Sequence, residues 1–190
     1  MKAPSIRATA LVAVLASAGC WRSGEAATRP PTSAPPVIAP AQLSPSPTPS
    51  LDPVAQAKQE ALQAYLAMYD DVVAAGEDPN SPRLPQHATG QALSLWRTIA
   101  YRNSQNGVVG RGQPDISGAR VVSAAPDAAP TTASVMACVD GRNWLAYRKD
   151  TGKPVDDQPG ERRLDEATVD RELSGEWLVN KLIIRDPGSC

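Results

Sequence analysis

Phenylalanine is absent from this chain, and histidine occurs once. Without phenylalanine, all aromatic packing falls to four tryptophans and four tyrosines, so those positions are where core and pocket chemistry should be sought. With a single histidine, any Ser-His-Asp or Cys-His mechanism has to run through His87. His87 lies in a polar stretch, LPQHATG, and no Gly-x-Ser-x-Gly elbow accompanies it, so it reads as an exposed or capping residue. One histidine and so few cysteines cannot build an ordinary zinc site. No cofactor fingerprint is present either. Gly107 to Gly112 (GVVGRG) has the wrong glycine order, follows a helical pattern and reads as a loop. Asp156, Asp157 and Glu161 lack the twelve-residue calcium pattern and read as a solvated hairpin tip. No apolar run approaches the roughly 20 residues needed to span a bilayer. The formal net charge is −1 and both signs are mixed along the chain, which argues against nucleic acid or anionic lipid as the main partner.

The N-terminus, by contrast, is strongly patterned. Lys2 and Arg7 precede an uncharged apolar run, Ala8 to Ala16, and small residues follow up to Cys20. This is the layout of a secretory signal peptide over residues 1–19. Ala18-Gly19-Cys20 resembles the lipobox of bacterial lipoproteins, which implies lipidation of Cys20 and cutting before it. Ser17 stands where that pattern usually has leucine. Ala16-Ser17-Ala18 also fits a plain Ala-x-Ala site, which would release a secreted soluble protein. Residues 20–53 then carry nine of the 19 prolines among Ser, Thr and Ala, with little to bury. They read as a disordered or polyproline-like tether holding a domain away from a lipid anchor on the outer face of the membrane. In an oxidising compartment the two remaining cysteines, Cys138 and Cys190, read as one disulfide.

Residues 54–190 read as a single α+β domain. Asp52-Pro53 supplies an N-cap and a first-turn proline. The following helix carries Ala61, Leu62, Tyr65, Met68, Tyr69, Val72 and Val73 on one face and stops at Gly76. A short helical turn is expected from Ser81-Pro82 through Leu84. A second long helix begins at Thr89 or Gly90, with Ala92, Leu93, Trp96, Ile99 and Ala100 inward, and closes at Asn106-Gly107. Five strands follow: 119–125, 131–140, 143–149, 162–173 and 176–185. Asp140-Gly141 and Ser174-Gly175 are expected to be hairpin turns. Trp177 and Val179 alternate out of phase with Leu182 and Ile184, which calls for a bulge near Asn180–Lys181 or burial on both faces. Helices first and a strand meander after predicts two long helices packed on a curved antiparallel sheet of about five strands.

A helix with paired tyrosines (AYLAMYDDVVAA), a second helix, hairpins and a closing Gly-x-Trp-x-Val strand (GEWLVNKLIIRD) together resemble the nuclear-transport-factor-2-like, or SnoaL-like, superfamily. ATGQAL, the TTASVMACVD strand and the terminal cysteine are similar to secreted actinobacterial lipoproteins. The resemblance implies a cone-shaped sheet around a cavity closed by helices, with Tyr65, Tyr69 and Trp96 as candidate pocket-lining residues. It does not by itself assign chemistry. Some isomerases of that fold use a cavity tyrosine and acidic residues; the nearest types here are Tyr65, Tyr69, Trp96 and Asp140, though an Asp-Gly turn explains Asp140 fully. Asp70 and Asp71 are adjacent on a helix and diverge by about 100°, so they cannot act as a pair. No catalytic set, metal site or cofactor emerges. The expectation is a non-catalytic binding or interaction domain on an envelope lipoprotein, meeting a small apolar ligand or another envelope protein. The alternatives are a cavity isomerase or hydrolase using Tyr and Asp, and a structural homodimerisation subunit.

Overall fold

A computed structural model describes residues 52–155 and 160–190. The leader, Cys20, nearly all of the tether and Asp156-Asp157 therefore lie outside the described residues. Helix α1 (Pro53–Ala75) begins as its sequence dictates: Asp52 Oδ1 accepts the Val54 N–H at 3.3 Å and Pro53 occupies the first turn. It ends at Gly76, whose φ is 57°. Its buried face runs Ala57, Ala61, Ala64, Tyr65, Met68, Tyr69, Val72 and Ala75, and it includes one charge, Asp71. Leu62 and Val73 fall at the half-buried margin. Small α2 (Leu84–His87) sits one turn later than expected, because Ser81 to Arg83 form the turn before it. Helix α3 (Gly90–Gln105) carries Ala92, Trp96 and Ala100 inward and stops at Asn106-Gly107.

The strands form two antiparallel sheets. β2 (Asp115–Ala125), β3 (Thr132–Asp140), β5 (Arg162–Arg171) and β6 (Trp177–Ile184) make a four-stranded sheet in the order β2-β3-β5-β6. β1 (Val108–Gly112) and β4 (Trp144–Arg148) make a separate two-stranded ribbon. Three expectations are corrected here. In place of one sheet of about five strands, the described residues form six strands in two sheets. Of the glycine-rich 107–112 segment, Val108–Gly112 is a strand, not a loop, and Gly110 and Gly112 serve close approach: a Cβ at Gly112 (φ 80°) would run into the Asn143 carbonyl oxygen. Asp140-Gly141 is a turn but not a hairpin, because β3 pairs with β5 while β4 leaves to pair with β1. The Ser174-Gly175 hairpin between β5 and β6 forms as read, with Gly175 at φ 96°.

Strict alternation sets the inner face of the large sheet. Ala133, Val135, Ala137 and Val139 of β3 are buried while Thr132, Ser134, Met136 and Cys138 are half-buried on the other side. On β6 the phase conflict is resolved by a bulge. Lys181 pairs with Thr168 and Val179 with Val169, so Asn180 is the extra residue, and Trp177, Val179 and Leu182 all face inward. Helix α1 packs against all four strands of this sheet. Helix α3 bridges the two sheets, touching β6 and β1. The start of α3 is fastened at the bulge. Thr89 N–H donates to the Val179 carbonyl at 2.9 Å, and Gln91 Oε1 accepts the Leu182 N–H at 2.8 Å. Cys138 and Cys190 are joined by a disulfide that ties the C-terminus to β3.

Candidate functional site: a buried acid on an aromatic-walled cavity

Residues recurring every three or four positions on α1 bring Tyr65 and Tyr69 one turn apart on the face that meets the sheet. Directly opposite, β5 presents Asp165, which shares strand parity with buried Ala167 and Val169. Asp165 is wholly buried. Tyr65 Oη donates to Asp165 Oδ2 at 2.9 Å, and Tyr69 Oη donates to the same oxygen. The other oxygen, Oδ1, has no hydrogen-bond partner among the described residues, and neither does buried Trp96 Nε1. Aromatic rings continue outward in a chain. Tyr65 meets Tyr69 edge-on at 5.7 Å, Tyr69 meets Trp96 at 5.6 Å, and Trp96 meets Trp144 of the ribbon at 6.2 Å.

These groups border a cavity of about 300 Å³ where α3, the inner sheet face and the ribbon converge. Tyr69, Trp96, Trp144, Ile99 and Ile184 belong to its apolar wall, and Asp165 is a buried polar point on it. Glu161, Arg163 and Asn103 add polar groups. Gly110 also lines it; a Cβ there would stand 3.0 Å from Trp144 Nε1, so this glycine leaves room for the indole. Volume and lining suit a small, mainly apolar molecule held by very few polar contacts.

Electrostatics follow from that burial. Desolvation raises the carboxyl pKa of Asp165 above its ordinary 3.8, and the two tyrosine donors offset this only in part. The phenols of Tyr65 and Tyr69 are pushed well above their ordinary value by burial first and by the neighbouring carboxyl second. When Asp165 is neutral its proton belongs on Oδ1, because Oδ2 already accepts two bonds.

Of the aromatic residues singled out from sequence, Tyr69 and Trp96 line the cavity. Tyr65 stands behind them and acts on Asp165. Asp140 is not part of this group. It caps its own turn, accepting from the Arg142 backbone and guanidinium, and that partner holds its pKa down to about 2. The carboxyl that meets the tyrosines is Asp165, which the sequence reading passed over. Its signal was present: an aspartate on the inward parity of RRLDEATVDR. His87 is half-buried rather than free. Its Nδ1 lies 2.6 Å from Oδ2 of buried Asp71, so it fastens α2 to α1. It borders a separate polar cleft with Glu60, Arg171 and Glu176, among whose described lining residues there is no Ser, Thr or Cys to act as nucleophile. Among the described residues no cluster of His, Cys, Asp and Glu has metal-binding geometry, and no helix is long and apolar enough to cross a membrane.

No protein-family model matches the chain, and no curated protein matches it. Among solved structures, the crystal structure of the intermembrane space region of chloroplast protein ARC6 aligns with a TM-score of 0.47 at 19% identity. The alignment covers 72% of this chain and 98% of that one. At that distance the likeness carries no argument about function.

Proposed function

We propose that the chain is an exported envelope lipoprotein, lipidated at Cys20, whose domain binds a small and mainly apolar molecule in the cavity beneath the β1–β4 ribbon. The carrying observation is the cavity itself, walled by Tyr69, Trp96 and Trp144 with the half-satisfied Asp165 on it. A buried polar atom without a partner costs roughly 1–3 kcal/mol, and two of them at one cavity point to a ligand with a polar end. The disulfide supports placement outside the cytoplasm. A layer of helices over a sheet with a cavity between them also supports the nuclear-transport-factor-2-like reading and its cone-shaped sheet.

Titration of the mature protein with N-phenyl-1-naphthylamine tests the proposal. The probe should brighten and saturate at one per chain, and Gly110→Leu, which fills the cavity, should abolish the signal. Absence of saturation, or equal binding by the variant, contradicts it.

A second reading, a cavity hydrolase or isomerase, is favoured by one observation: an acid biased toward its neutral form and poised by two phenols. Hydrolysis of a p-nitrophenyl ester, or α-proton exchange of a ketone, should then be lost in Asp165→Asn. Equal rates in wild type and variant remove this reading.

A further inference from the structure

The disulfide is electrostatically lopsided. Arg162, at the start of β5, the strand paired with β3 that carries Cys138, donates from Nε at 3.3 Å and from Nη2 at 3.2 Å to the sulfur of Cys138. Both donors of this fork reach the same sulfur atom, while Cys190 lies exposed at the end of the tail. In thiol–disulfide exchange a thiolate attacks one sulfur and the other departs as a thiolate; the better-stabilised thiolate departs faster. A guanidinium at hydrogen-bond distance is the kind of neighbour that lowers a thiol pKa and stabilises developing negative charge. Cys138 is therefore the favoured leaving group and Cys190 the favoured point of attack, and access runs the same way, since Cys138 is half-buried on the sheet.

We propose that Cys138–Cys190 is a directed thiol-exchange site at which a thiol-bearing partner becomes covalently attached to Cys190. The incoming thiolate forms a bond to Cys190 Sγ as the Sγ–Sγ bond breaks. The electron pair of that bond leaves on Cys138 Sγ, where Arg162 holds the thiolate. One disulfide is consumed and one formed, so no external oxidant or reductant is needed. Return of the Cys138 thiolate to Cys190 Sγ expels the partner and restores the starting bond. The backbone around the tail gives the step a mechanical consequence. Gly188 N–H donates to the Arg162 carbonyl at 2.8 Å and Ser189 Oγ accepts the Leu164 N–H at 2.8 Å, so the tail lies along the start of β5. Exchange replaces the covalent tie with these few hydrogen bonds and leaves the tail free to carry the attached group.

The test exposes the mature protein to cysteine in one arm, and in the other to a thioredoxin whose resolving cysteine is changed to serine. Peptide mapping then assigns the adduct among Cys20, Cys138 and Cys190. The expected result is an adduct at Cys190 in at least one arm, the productive arm identifying a small or a protein thiol as the source. Arg162→Gln should slow the exchange roughly tenfold and Arg162→Lys should recover part of the rate. In the reduced protein, Cys138 should react with iodoacetamide several-fold faster in wild type than in Arg162→Gln. Unfolding midpoints of the oxidised variants should match wild type, which separates this role from a structural one. Adducts formed equally on Cys138 and Cys190, no adduct in either arm, or a rate indifferent to Arg162→Gln would overturn the proposal.

Discussion

At Asp165 two opposing effects meet on one carboxyl. Removal from water favours the neutral acid, whereas the hydroxyls of Tyr65 and Tyr69 favour the anion, and the first effect is the larger. A carboxyl whose folded-state pKa lies above its unfolded value retains its proton in the fold after the unfolded chain has lost it. Its contribution to stability is complete below the ordinary value of 3.8 and is lost as pH rises through the folded-state pKa. Asp165→Asn keeps the shape but cannot titrate. The stability difference, wild type minus variant, should therefore shrink as pH rises above the ordinary carboxyl value of 3.8, followed by urea unfolding at each pH. A difference that grows with pH would mean that the tyrosines hold an anion. None of this pairing was visible by residue type alone. Asp140 drew attention because it precedes a glycine turn, but that same turn chemistry occupies its oxygens. Asp165 was detectable only through strand parity, since a period of two places it beside Ala167 and Val169 on the core face.

Element boundaries were legible where a cap or a stop has a local chemical cause. Asp52-Pro53 and Gly76 delimit α1, and Asn106-Gly107 ends α3. The bulge at Asn180 was equally legible, because the apolar phase of β6 shifts by one residue there. What the sequence hid depends on partners distant in the chain. β1 looks like a loop because Gly110 and Gly112 remove the alternation, yet those glycines admit the Trp144 ring of β4 and the carbonyl of Asn143 just before it. No local pattern announces that β4 abandons β3 for β1. The junction of α3 with β6 gives the clearest element-scale prediction. Gly90 has φ of 50° and lies against the Asn180 side chain, where a Cβ would collide with Oδ1. Gly90→Ala combines left-handed strain with overpacking and should cost about 2–4 kcal/mol. Adding Asn180→Ala should recover the overpacking part and leave the strain. Urea midpoints of the two single variants and the double variant measure both parts. A double variant no more stable than Gly90→Ala would place the whole cost in the backbone.

Across the whole molecule, the absence of phenylalanine has a visible consequence. Alanine fills much of the sheet's inner face (Ala133, Ala137 and Ala167), while the bulk comes from Tyr65, Tyr69 and Trp96 on the helices. The aromatic side chains therefore run from core to cavity in one contact chain, and Tyr69 and Trp96 both fill the core and line the cavity. The disulfide closes a span of 52 residues from β3 to the C-terminus. In the chain-entropy model such a loop stabilises by about 4 kcal/mol. Replacing both cysteines with serine should lower stability by up to that amount in chemical unfolding while leaving probe binding in the cavity intact, since neither sulfur lines it. Loss of binding in a variant that remains folded would show that the cavity depends on the crosslink.

The most direct measurement is a crystal structure of residues 52–190 grown with N-phenyl-1-naphthylamine. The account predicts density for the probe in the cavity walled by Tyr69, Trp96 and Trp144, with its polar group toward Asp165. Density on the outer sheet face around Val122 and Met136, or a cavity closed by the Trp144 side chain with no probe inside, would contradict it.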